Sequence, residues 1–180
     1  MNFSLNSKRN VSYFWYFSFF AFLTFNVSAI AAEGENGQTK SQEREKVITF
    51  VEKAKNYIET HGKEKAMIEF NKKSGEFSKD SSYIFAVEHN GIYLATINYP
   101  NLVGENQLKM KDPLHVFYVT EEIEKSKSGG GWIDARLKKN PYTGKKECKD
   151  SYLLPMPGDY FIGSGYYYPP EKDGTCNKKT

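Results

Sequence analysis

Two runs rich in aromatic and β-branched residues, Tyr83–Val87 and Ile92–Ile97, are separated by the segment His89-Asn90-Gly91. An Asn-Gly step between such runs is the strongest short-range hairpin signal, because glycine accepts the positive φ that a tight reversal needs. Everything else in the chain has to be compatible with that hairpin. Upstream, Val47, Val51, Ala54 and Ile58 recur at helical spacing with Glu43, Glu45, Glu52, Lys53 and Lys55 between them, and Gly62 is placed to end the helix. A shorter helical stretch carries Ala66, Met67 and Phe70 and closes near Gly75. Downstream, Asp112-Pro113 reads as an N-cap followed by a proline at the first helical position, with Val116, Phe117, Thr120 and Ile123 as the apolar stripe. Three further strands are expected at Trp132–Leu137, Glu147–Leu153 and Tyr160–Tyr167, joined through Asn140-Pro141-Tyr142-Thr143-Gly144 and Pro155-Met156-Pro157-Gly158-Asp159. The expected fold is α+β: a long N-terminal helix and a short one packed on one face of an antiparallel sheet, the other face left to hold something.

The chain ahead of that domain reads differently. Lys8 and Arg9 precede an uncharged, apolar and heavily aromatic run from Val11 to Val27, and Ser28-Ala29-Ile30-Ala31-Ala32 follows. A positive start, an apolar centre and small residues at a cleavage site describe a secretory signal peptide over residues 1–31, cut after Ala31. The competing reading is an uncleaved membrane anchor, since the uncharged run from Asn10 to Ala32 is nearly long enough to span. Residues 32–40, rich in Gly, Gln and Asn, read as a linker; 41–168 form the domain and 169–180 a tail. Loss of 1–31 removes two of the 25 basic residues and no acid, leaving 23 against 22 acidic residues, a formal charge of +1. Such a balance argues against nucleic acid as a partner, which calls for a concentrated basic patch.

Cys148 and Cys176 are the two cysteines. In an exported chain an isolated pair without C-x-x-C spacing favours a disulfide, with two reduced structural thiols as the alternative. The histidines His61, His89 and His115 form no metal-binding spacing, and Gly129-Gly130-Gly131 lacks the Lys-Ser/Thr ending of a phosphate loop. Glu121, Glu122 and Glu124 read as a solvated helix face. No nucleophile–base arrangement or spaced acid pair is identifiable, so the expectation is a non-enzymatic protein with neither metal nor cofactor.

The collinear order of several short signatures resembles the single Cache domain of the second type. They are Gly62-x-x-x-Ala66, Gly75-x-Phe77, the Tyr83–Ile97 hairpin, Leu102-Val103-Gly104, Leu108-x-x-x-Asp112, Gly131-Trp132, Asn140-Pro141-x-Thr143-Gly144, Lys149-x-Ser151-Tyr152 and Gly163-Ser164-Gly165-x-Tyr167. The resemblance covers roughly Ser41 to Tyr168 and implies a PAS-like sheet in an extracytoplasmic sensor module that binds small organic molecules, commonly short carboxylic acids. Two departures stand out. Thr96 occupies the place where the family usually has a histidine after alanine, and Ala135 and Leu137 flank Arg136 where tyrosine and tryptophan are usual.

On this resemblance Arg136 and Lys149 are the candidate anchors for an anionic ligand, one a planar fork for a carboxylate and the other a point charge. Without it, both read as solvated strand residues. Trp132, Tyr83, Phe85, Thr96 and Tyr152 are the remaining candidates for the site. Strict alternation puts Trp132, Asp134 and Arg136 on one face, but Lys149 and Tyr152 on opposite faces unless a bulge intervenes. Cys148 shares the side of Tyr152, so a disulfide would bring the tail over that side. Two functions of different class remain open. The first is an exported, periplasmic or secreted binding protein for a short organic acid, working alone or with a membrane signalling or transport partner. The second is an extracytoplasmic interaction or structural module whose pocket is filled by its own aromatics.

Overall fold

The computed structural model describes residues 28–79 and 81–177. The apolar run and most of the expected signal peptide, 1–27, lie outside the described residues. Helix α1 spans Ser28–His61 and α2 spans Lys63–Phe70. The stretch 32–40, a linker by composition, therefore lies within α1. The expected stripe is the one that packs: Val47, Val51, Ala54 and Ile58 are all buried. Gly62, at φ 84°, breaks the two helices apart, a conformation glycine adopts without Cβ strain.

A two-stranded ribbon of β1 (Ser78–Lys79) and β2 (Ser82–Tyr83) leads into the hairpin of β3 (Phe85–Glu88) and β4 (Tyr93–Thr96). The turn places Gly91 at φ 92°. After a long loop come α3 (Tyr118–Lys127), β5 (Gly131–Lys139), β6 (Lys146–Met156) and β7 (Tyr160–Tyr168). The main sheet has the order β4-β3-β7-β6-β5, and every pairing in it is antiparallel. The last three expected strands are thus present, each extended by one to three residues at its ends.

Alternation along these strands divides the core in two. On one face Ile84, Ala86, Ala95 and Ile162 pack with the α1 stripe, Phe70 and Phe77. On the other, Tyr83, Phe85, Val87, Tyr93 and Phe161 pack with Val119 and Ile123 of α3. The long loop after β4 covers the sheet edge, since Tyr93 exchanges backbone hydrogen bonds with Gly104 (2.8 Å) and Glu105 (3.2 Å).

Two local expectations are corrected. Asp112-Pro113 does not start a helix. Asp112 Oδ1 accepts from the backbone N–H groups of Leu114 (2.8 Å) and Val116 (2.9 Å), the same side-chain chemistry as an N-cap, but His115 turns to φ 64° and the helix waits until Tyr118. Its buried face is Val119, Glu122, Ile123 and Ser126, while Phe117 is exposed. The second correction lies in β5, where Asp134 and Ala135 together oppose Asp150 of β6. This bulge puts Ala135 at φ 60° and reverses the facing of everything after it. Asp150 holds it directly by accepting from the Ala135 N–H at 2.8 Å.

Cys148 and Cys176 form a disulfide, tying the tail to β6. The tail and the early part of α1, around Lys40 and Glu43, line one cleft on the side of Cys148.

Candidate functional site

Between the α3-facing side of the sheet, α3 and the loop after β4 lies a cavity of about 320 Å³. That is the lower end of the range of small-molecule sites, about 300–1,000 Å³. Its walls are aromatic: Tyr83 and Phe85 before and in β3, Tyr93 in β4, Tyr99 in the loop, Tyr118 in α3 and Tyr167 in β7. Thr96 lines it too, buried, with its backbone N–H fixed to Asn71 Oδ1 at 3.0 Å.

Lys149 enters this cavity from β6 and is only 2% exposed. Its ammonium donates to the Tyr83 hydroxyl at 3.0 Å and lies 4.7, 5.0 and 5.3 Å from the ring centres of Tyr83, Phe85 and Tyr167. Among the described residues it has no carboxylate within ion-pair distance. A buried ammonium held only by a phenol and ring faces is under-compensated, because taking a charge out of water costs several kcal/mol, roughly, even after relaxation. Glycines make its position attainable. A Cβ on Gly165 of β7 would sit 2.9 Å from Lys149 Cε, and one on Gly163 would sit 2.5 Å from the Phe85 ring. The two glycines therefore form a floor across which the lysine stem and the phenylalanine lie.

Lys138 is the second cation in the wall. It pairs with Glu122 Oε1 at 3.0 Å and stacks 3.7 Å over the Tyr118 ring. Burial holds its pKa below the ordinary lysine value, and the Glu122 carboxylate opposes that shift. Burial pushes the phenols of Tyr83, Tyr93, Tyr118 and Tyr167 well above the usual tyrosine value, so at neutral pH all four keep their protons and can donate. Asp112 and Glu122 supply acid to the wall, each largely buried and each with one oxygen lacking a partner.

The structure brings together four of the sequence candidates, Lys149, Tyr83, Phe85 and Thr96, and leaves out three. Arg136 is not in the cavity wall. It shares the sheet face of Lys149, but its guanidinium is ion-paired with Glu121 of α3, so the anion it meets is the protein's own. Trp132 faces α1, where the Arg44 guanidinium stacks 4.0 Å over its ring. Tyr152 packs beside it at 5.4 Å, opposite to Lys149, as plain alternation requires. The bulge at Asp134–Ala135 is the reason Trp132 and Arg136 part company. Glu122, read from sequence as solvated, is instead 3% exposed and in the site. Tyr93, Tyr118 and Lys138 had no signal of their own as site residues, and Asp112 was legible only as a helix cap and as part of the Leu108-x-x-x-Asp112 signature. Only the approach of α3 and the loop to the sheet assembles them.

A helix-backed antiparallel sheet whose other face closes over a small aromatic cavity is a PAS-like α+β module. The chain belongs to the Cache domain family, whose model matches residues 46–173. A methyl-accepting chemotaxis protein of Vibrio parahaemolyticus is similar in fold, with a TM-score of 0.62 and 19% identity over 77% of this chain and 97% of that one. A Cache chemosensory domain solved for its recognition of carboxylic acids gives 0.51 and 21%, over 77% and 95%. The periplasmic sensor domain of a chemotaxis protein gives 0.55 and 16%, over 78% and 99%. No curated protein sequence matches the chain.

Proposed function

We propose that this protein is an exported, sensor-type binding protein that holds a short organic acid in the aromatic cavity by a carboxylate on Lys149. The observation that carries the reading is the Lys149 ammonium, 2% exposed, lining a 320 Å³ cavity with no carboxylate of the described residues within ion-pair distance. An incoming carboxylate would complete the pair, and the Tyr83 hydroxyl, fixed by the same lysine, stands ready as a neutral donor. A cavity of this volume also argues against a pocket filled by its own aromatics. The role in signalling or transport would be exercised with a membrane partner, in line with the receptor sensor domains that share the fold. Residues 1–31 act in this proposal as the export signal. Among the described residues no helix is long and apolar enough to cross a membrane. N-terminal sequencing of the mature protein should begin near Ala32 or Glu33, and an intact Met1 in the membrane fraction would replace the signal peptide with an anchor.

The binding reading is tested by thermal melting of the purified protein against a panel of short mono- and dicarboxylates. A ligand that prefers the native state raises the melting temperature with concentration. At least one acid should do so, and Lys149→Met should remove the response. A panel without any response would hand the site to the interaction-module reading.

A further inference from the structure

We propose that the ligand of this cavity is zwitterionic, a small amino-carboxylic acid whose ammonium is received by Asp112 and Glu122. The inference rests on the Lys149 reading and deepens it.

Asp112 is 6% exposed and Glu122 3% exposed, and both line the cavity. Each spends one oxygen on the protein. Asp112 Oδ1 holds the turn through Leu114 and Val116, and Glu122 Oε1 holds Lys138. Their other oxygens, Asp112 Oδ2 and Glu122 Oε2, are buried with no hydrogen-bond partner among the described residues. Unmet acceptors on buried carboxylates are expensive and rare. Here two of them occur in the wall of the same cavity as the under-compensated Lys149.

Charge counting leads to the same class. The charged side chains set into the wall are Lys149, buried, and Lys138, 17% exposed, against the buried Asp112 and Glu122, two of each sign, with Lys111 and Lys139 exposed at the rim. A simple carboxylate would satisfy Lys149 but add a negative charge to a balanced buried site and leave both acid oxygens unmet. A zwitterion adds no net charge. Its carboxylate meets Lys149 and its ammonium meets the acid oxygens. The ring of Tyr118, already under the Lys138 ammonium, shows that this side of the wall accepts a cation over an aromatic face.

The experiment is isothermal titration of the full, disulfide-intact protein with matched sets: propionate, lactate, alanine and β-alanine; butyrate and γ-aminobutyrate; succinate and aspartate. In at least one set the amino acid should bind about tenfold or more tighter than its plain and hydroxylated counterparts, the value of one charge-assisted hydrogen bond. Asp112→Asn keeps the Oδ1 acceptor that shapes the turn and should shrink that preference to about threefold or less. Glu122→Gln provides a second, independent variant with the same expected direction. The proposal is overturned if plain or hydroxy acids bind as tightly as amino acids in every set, or if the preference survives both variants. Binding of plain acids alone would keep the Lys149 reading while sinking this one. Binding of nothing would sink both.

Discussion

Replacing Lys149 with methionine separates a ligand anchor from a structural lysine. The ammonium makes one hydrogen bond, to Tyr83, and three contacts with ring faces. Losing that hydrogen bond costs about 1.5–3 kcal/mol and losing desolvated cation–π contact costs about 2 kcal/mol. Against this stands the desolvation of a charge that is 2% exposed and has no counter-ion among the described residues, several kcal/mol by a rough reckoning. Methionine keeps an unbranched stem over the Gly165 floor, so little packing is lost. The opposing contributions nearly cancel, and unliganded Lys149→Met should melt within about 6 °C of the parent, given roughly 2–4 °C per kcal/mol for a domain of this size. Binding should behave differently. Truncating one partner of a buried charge pair costs about 2–5 kcal/mol, or roughly 30-fold to several-thousand-fold in Kd. Melting curves and calorimetric titration of both proteins provide the two numbers. A variant destabilised by more than about 3 kcal/mol with its affinity for the acid intact would refute the reasoning, and Lys149 would be a structural residue.

Gly165→Ala should weaken both fold and binding, because the new Cβ would lie 2.2 Å from the Asp150 carbonyl oxygen and 2.9 Å from Lys149 Cε; we expect about 1–3 kcal/mol lost in denaturant melts and a weaker response to the acid. Opening the Cys148–Cys176 loop, 28 residues in sequence separation, should cost roughly 3–4 kcal/mol in the chain-entropy model, read as a lower melting temperature for the double serine variant. Burial alone would raise the Asp150 pKa, but the Ala135 N–H, the Tyr166 and Tyr168 hydroxyls and Lys40 outweigh it and hold the carboxyl below the ordinary aspartate value. With a depressed folded-state pKa, the stability it contributes is complete above about pH 5 and is lost as pH falls through 4 and below, so Asp150→Asn should lower stability at neutral pH and flatten that acid limb.

Much of this architecture was legible because its signals are local. The Val47–Ile58 stripe, the stop at Gly62, the Asn90-Gly91 turn and the three late strands each depend on residues close in sequence. The disulfide followed from two isolated cysteines in a chain expected to be exported. What escaped depends on residues far apart. The β5 bulge is held by Asp150, fifteen positions away on β6, and nothing in Trp132–Leu137 announces it. Without the bulge, Arg136 and Trp132 seem to belong to one wall; with it, each has a different partner. Asp112 carries true capping chemistry, spent on a turn instead of a helix, and Glu122 looks solvated until Lys138 is brought above α3. Lys149, Tyr83, Phe85 and Thr96 meet because cross-strand partners share a face: Phe85 opposes Thr96, and Lys149 opposes Tyr167.

The most direct test of the central claim is native mass spectrometry of the protein purified from its own source, beside Lys149→Met prepared in the same way. The parent should carry a small carboxylic acid in stoichiometric amount, released on denaturation, and the variant should carry none. Parent protein at its bare mass, with no acid of the panel restoring an adduct, would contradict the claim.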